Sequence, residues 1–82
     1  MSDAYVPVLT RDEVAATHGV QLPDDMGPTV ELFDGIDDGT GNELCTVAVW
    51  RDVAFCVTCE RHGYLDGYRA DHDDIQQWHR DP

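Results

Sequence analysis

The chain has 82 residues, with 17 acidic side chains against five arginines and no lysine, for a net charge of −12 at pH 7. That balance disfavours nucleic acids and anionic membrane surfaces, both of which are bound through cationic side chains. It suits a protein partner with a basic surface, an acidic surface that imitates DNA, or plain solubility.

Hydrophobic residues make up 41% of the chain. That is enough for one modest core, so a single small domain over residues 1–82 is expected, and at this size it is marginal without a staple. No apolar run approaches the roughly 20 residues that span a bilayer. The opening MSDAYVPVLTRDE has neither a basic n-region nor a long apolar h-region, so no signal peptide is expected. Three cysteines would leave one over from any disulfide framework. Metal-bound or reduced thiols in a cytoplasmic setting fit better.

Met1–Leu9 reads as an arm or short strand, its pairing limited by Pro7. Thr10-Arg-Asp-Glu13 is a capping-box pattern, and a helix over Arg11–His18 should follow and stop at Gly19. Pro23, Gly27 and Pro28 break the next stretch. Thr29–Phe33 alternates as a strand, with Val30 and Leu32 on one side. The polar DGIDDGTGNE that follows resembles a calcium loop only loosely. With Asp34 at the first position, Ile36 and Cys45 fall where ligands belong, so a hairpin loop is expected.

Leu44–Trp50 and Val53–Thr58 are β-like and separated only by Arg51-Asp52, which predicts a hairpin. With Trp50 opposite Val53, Val47 lies opposite Cys56 and Cys45 opposite Thr58. Cys45 and Cys56 then share a face as diagonal neighbours. Residues 64–70 are expected to add a short strand or turn. Asp71 can cap a last helix over His72–Arg80, with Ile75, Trp78 and His79 on its inward stripe. The fold class expected is α+β: a small antiparallel sheet of about three strands with two short helices, stapled by zinc.

The staple is argued from Cys56-x2-Cys59. A CxxC at the end of a hairpin aims two thiolates at one tetrahedral ion, a geometry zinc favours, and its binding energy becomes folding energy. Cys45, His62, His72 and His79 are the candidates to complete the site. Cys45 follows from the hairpin register, whereas His62 lies too close to Cys59 to fold back easily. Cys59-x12-His72 has the gap of a two-cysteine, two-histidine finger, but six residues, not three to five, separate His79 from His72. On one continuous helix that places the two about 10 Å apart along the axis, with His72 pointing away from His79. The preferred ligand set is Cys45, Cys56, Cys59 and one histidine, with His72 ahead of His79.

From Phe55 to His79 the chain resembles the short zinc-ribbon and zinc-finger-like proteins of high-GC actinobacteria and their phages. The residues that carry the likeness are Phe55, Cys56, Cys59, Gly63, Tyr64, His72 and His79. The resemblance implies a structural zinc and macromolecular binding, not catalysis. Leu9–Val20 also resembles the opening helix of excisionase-like helix-turn-helix proteins. The breakers Pro23, Gly27 and Pro28 stand where a recognition helix belongs, so it is read as a capped helix only.

These features predict an interaction module that binds another protein, in its sharpest form a phage-encoded modulator of a host protein. Trp50, Trp78, Tyr64 and Tyr68 are its aromatic contact candidates, although core packing suits the two tryptophans better. The alternative is a DNA mimic built on Asp24, Asp25, Asp34, Asp37, Asp38, Asp71, Asp73 and Asp74. Direct nucleic-acid binding would rest on Arg61, Arg69 and Arg80 and is disfavoured by charge. His62, Asp66 and His72 can be drawn as a hydrolase set, but no paired motif such as HExxH accompanies them, and no enzyme is expected.

Overall fold

A computed structural model describes residues 7–37, 44–65 and 72–80. The chain runs β1 (Val8–Thr10), α1 (Arg11–His18), β2 (Thr29–Asp37), β3 (Leu44–Trp50), β4 (Val53–Cys56), β5 (Arg61–Tyr64) and α2 (His72–Arg80). The strands lie in sequence order in one sheet, each antiparallel to the next.

The α+β class and both helices match the sequence reading, but the sheet has five strands rather than three. The two extra strands are its edges, of three and four residues. Val8–Thr10 pairs with Thr29–Glu31, which Pro7 permits because it sits just outside the edge strand. Arg-His-Gly-Tyr has none of the β-branched pattern that marks a strand. It pairs with Val53–Cys56 because the CxxC segment reverses the chain, with Glu60 N–H donating to the Cys56 carbonyl at 2.7 Å and Glu60 at φ 62°.

The helix starts are local chemistry. Thr10 Oγ1 accepts from the Glu13 amide at 3.1 Å, and Glu13 Oε1 accepts from the Thr10 amide at 3.0 Å. Gly19, at φ 66°, closes α1 in the left-handed conformation that glycine adopts without penalty. Arg11 then ties down the breaker segment. Its guanidinium donates to the Met26, Leu22 and Pro23 carbonyls at 2.8–3.1 Å.

Both faces of the sheet are covered. Val14 of α1 and Leu22 and Met26 of the following segment pack with Val30, Ala48, Val53, Phe55 and Val57 on one side. Ile75 of α2 packs with Phe33, Ile36, Cys45, Val47, Val49, Ala54 and Cys56 on the other. A bulge between Phe33 and Ile36, with Gly35 at φ 73°, lets two residues an odd number apart face α2 together. The β3–β4 register has Trp50 opposite Val53 and Val47 opposite Cys56, as the hairpin reading expects. Beyond Cys56, Val57 N–H still donates to the Thr46 carbonyl at 3.0 Å, Thr58 Oγ1 accepts from the Thr46 amide at 3.1 Å, and Cys45 is paired on its other side with Ile36.

Residues 1–6, 38–43, 66–71 and 81–82 lie outside the described residues. With them lie residues 1–6 of the expected Met1–Leu9 arm or short strand, residues 66–70 of the expected 64–70 strand or turn, and Asp38, Asp66, Tyr68, Arg69 and Asp71 of the sequence reading; Val8 and Leu9 lie in β1 and Tyr64 ends β5. Among the described residues, no helix is long and apolar enough to cross a membrane.

Two glycines make room for the tryptophans. A Cβ built on Gly63 would lie 2.6 Å from Trp78 Nε1 and 3.0 Å from its Cζ2. The α2 tryptophan therefore rests directly on β5 backbone. Gly63→Ala must push a partly buried ring and its helix off the sheet. It is expected to lower stability by about 1–3 kcal/mol, read as a reduced urea midpoint at unchanged slope. An unchanged midpoint would show that α2 does not seat this way.

Candidate metal centre

Three segments converge at one end of the sheet. Cys45 comes from β3, Cys56 from the last position of β4, and His79 from the last turn of α2. All three are buried, and one ligand atom from each lies within 4.8 Å of the others. They are therefore close enough to bind one metal ion.

The local sequence explains the convergence. Period-two alternation turns Cys45, Val47 and Val49 to the α2 face, and Ala54 and Cys56 follow across the ladder. Ile75 and His79 stand four residues apart, so they share one face of α2. Ile75 is fully buried against Cys45 and Cys56, which carries His79 down onto the thiols. Arg61 fixes the helix end, donating from Nη1 to the His79 carbonyl at 2.7 Å with its guanidinium 5.0 Å from the Trp78 ring centre.

Cys59, the third cysteine of the expected set, is not among the three donors that come within 4.8 Å of one another and lies at their outer edge. It is exposed, its Sγ is 3.5 Å from His79 Nε2, and its amide N–H donates to Cys56 Sγ at 3.4 Å. No disulfide joins the cysteines. The Cys59 thiol is pushed above its ordinary range, chiefly by burial, then by the neighbouring Cys56 thiol and its charge. Holding these sulfurs this closely as thiolates would need a cation to offset their charge.

His79 carries the clearest sign of a missing partner. The residue is 7% exposed, and its Nδ1 is the buried side-chain nitrogen or oxygen with no hydrogen-bond partner among the described residues. An orphaned buried polar atom costs about 1–3 kcal/mol, and an ion is one of the few things that relieves it. Thiols and an imidazole are soft and borderline donors. They suit zinc and other thiophilic ions and do not suit calcium or magnesium.

His72, preferred over His79 from sequence, is not brought into this group. It opens α2, is exposed, and places Nε2 3.2 Å from the Asp34 carbonyl oxygen. The twelve-residue gap after Cys59 pointed to it. The better signal was the inward stripe that already held Ile75 and His79. His62 also lies elsewhere, with Nε2 3.2 Å from Asp25 Oδ2 on the surface. Comparison with protein-family models, curated proteins and solved structures returned no match.

The surface trio of Asp25, His62 and Tyr64 pins the breaker segment to β5. Tyr64 donates its phenol hydrogen to Asp25 Oδ2 at 2.5 Å. This bond is the main cause that holds the Asp25 carboxyl below its ordinary range, and it holds the Tyr64 phenol above its own. The Asp25 contribution to stability is therefore present above the ordinary carboxylate pKa and fades as pH falls through the lowered one. The Tyr64 contribution is present below the ordinary phenol pKa and is lost as pH rises through the raised one. Tyr64→Phe is expected to return the Asp25 carboxyl toward its ordinary value in a carbon-detected NMR titration. An unmoved carboxyl would show that the bond does not form.

Proposed function

We propose that the protein is a small interaction module in which one structural zinc ion, held by Cys45, Cys56, Cys59 and His79, locks α2 to the sheet and so shapes an acidic surface for a protein partner with basic character. The observation that carries the reading is the convergence of two buried thiols and a buried imidazole, with a third thiol 3.5 Å from the imidazole Nε2. Such a set leaves no open coordination position for water or substrate, as in closed structural sites. When bound, the ion would supply fixed tetrahedral coordination and positive charge, and the residues would supply its position.

The partner chemistry is argued from charge. Asp12, Glu13, Asp24, Glu31, Asp34, Asp73 and Asp74 are all exposed. The few cations are partly engaged inside the domain. Arg11 holds three backbone carbonyls, Arg61 holds the end of α2, and Arg51 lies over Trp50, 4.6 Å from the ring centre. Little positive charge remains to meet phosphates, so a cationic protein surface is the better counterpart.

Native mass spectrometry with and without a chelator tests the centre. One zinc per chain is expected, kept in His72→Ala and lost or weakened at least about tenfold in His79→Ala, the size of effect typical when a site loses a supporting residue. Retention in His79→Ala with loss in His72→Ala would overturn the ligand set. For the surface, the zinc-loaded protein should capture a basic protein from a native lysate, in a complex that weakens with salt. Failure to capture any saturable partner counts against the module. Competition by DNA for the captured protein would move the reading to a DNA mimic.

A further inference from the structure

The four donors are not equivalent. Cys45, Cys56 and His79 are buried, whereas Cys59 is exposed. The exposed thiol also has a partner for exchange. It lies three residues beyond Cys56, and its amide N–H donates to Cys56 Sγ at 3.4 Å. A solvent-reachable cysteine beside a resolving cysteine is the arrangement by which thiol switches operate.

The same two residues have structural weight. Cys56 ends β4, and the reversal that follows it creates β5, where the Glu60 amide returns to the Cys56 carbonyl. Gly63 of β5 seats Trp78, and Arg61 holds the His79 carbonyl. Whatever happens at Cys56 and Cys59 is therefore transmitted directly to the seat of α2.

Resting on the zinc reading above, we propose that the centre is a peroxide-sensitive clasp: oxidation starts at exposed Cys59, closes a Cys56–Cys59 disulfide, expels the ion and frees α2. In the first step a peroxide oxygen is transferred to the Cys59 sulfur. The O–O bond breaks, an S–O bond forms, and hydroxide departs. The Cys56 thiolate then attacks that sulfur, the S–O bond breaks, and a second hydroxide leaves. Two thiolates have given up one electron each, the peroxide has accepted both, and two protons from solvent turn the hydroxides into two waters. Only Cys45 and His79 remain as ligands, half of the four that a structural zinc requires, so the ion dissociates. His79 loses its tie to the sheet, and α2 is left to its apolar contacts through Ile75 and Trp78. A thiol reductant and zinc restore the clasp, because a disulfide is reversible where higher oxidation is not.

The test uses the full chain loaded with zinc. Hydrogen peroxide is titrated in the presence of a chromogenic zinc chelator, and the products are mapped by peptide mass spectrometry without reduction. One equivalent of zinc released together with a Cys56–Cys59 disulfide, both reversed by dithiothreitol and added zinc, is the expected result. Cys59→His, which keeps a zinc-binding side chain, should hold the ion and slow its release at least about tenfold, because the reachable sulfur is gone. If that variant does not fold, the disulfide map of the natural chain decides alone. A chain that binds no zinc removes the metal reading and this inference with it. A chain that binds zinc but keeps it under peroxide, or whose disulfide includes Cys45, overturns the clasp and leaves the structural zinc standing.

Discussion

The structure depends on one junction, where β3, the β4–β5 reversal and the last turn of α2 meet at Cys45, Cys56, Cys59 and His79. Each segment alone is weakly held. The edge strand β5 has four residues and α2 has nine, well under the dozen or more that a helix needs for stability on its own. Apolar burial favours the docking of α2, and a fully buried isoleucine such as Ile75 contributes about 1.5–3 kcal/mol. The same docking buries an imidazole nitrogen without a hydrogen-bond partner and sets the ring against two buried thiols, which offsets part of that gain. A cation held by Cys45, Cys56 and His79 would offset the charge of the thiolates it gathers.

The two faces of the sheet divide the work. On one side, α1 and the breaker segment form an ordinary apolar layer, closed by a capping box, a glycine stop and the three carbonyl bonds of Arg11. That layer needs no metal. On the other side, the bulge at Gly35 gathers Phe33 and Ile36 under α2, and the thiols and imidazole stand at the rim of that layer. Loss of an ion would therefore be felt first by α2 and β5. The charge of −12 works against the whole, since like charges repel more strongly the more closely the chain is folded. That repulsion is a further reason for a staple.

Several of these features were legible in the sequence because they rest on local chemistry. The capping box and Gly19 bound α1 at both ends. Alternation and the two-residue turn set Val47 opposite Cys56, and with it the shared face of Cys45 and Cys56. The edge strands were only partly legible: β1 overlaps the Met1–Leu9 segment read as an arm or short strand, whereas β5 had no such signal. Arg61–Tyr64 pairs because the CxxC segment turns the chain back, not because its residues prefer a strand. The choice between His72 and His79 turned on a motif spacing borrowed from a different fold. Here α2 crosses the sheet so that its first residue meets the Asp34 carbonyl and its last turn meets the thiols. The helical stripe through Ile75 and His79 was the sounder guide, because it follows from helix geometry and not from resemblance.

Zinc-edge X-ray absorption on the metal-loaded chain tests the central claim most directly. The account requires a four-coordinate ion with three sulfurs at about 2.3 Å and one imidazole nitrogen at about 2.0–2.1 Å. A first shell made only of nitrogen and oxygen, or one with no imidazole scattering, would contradict it.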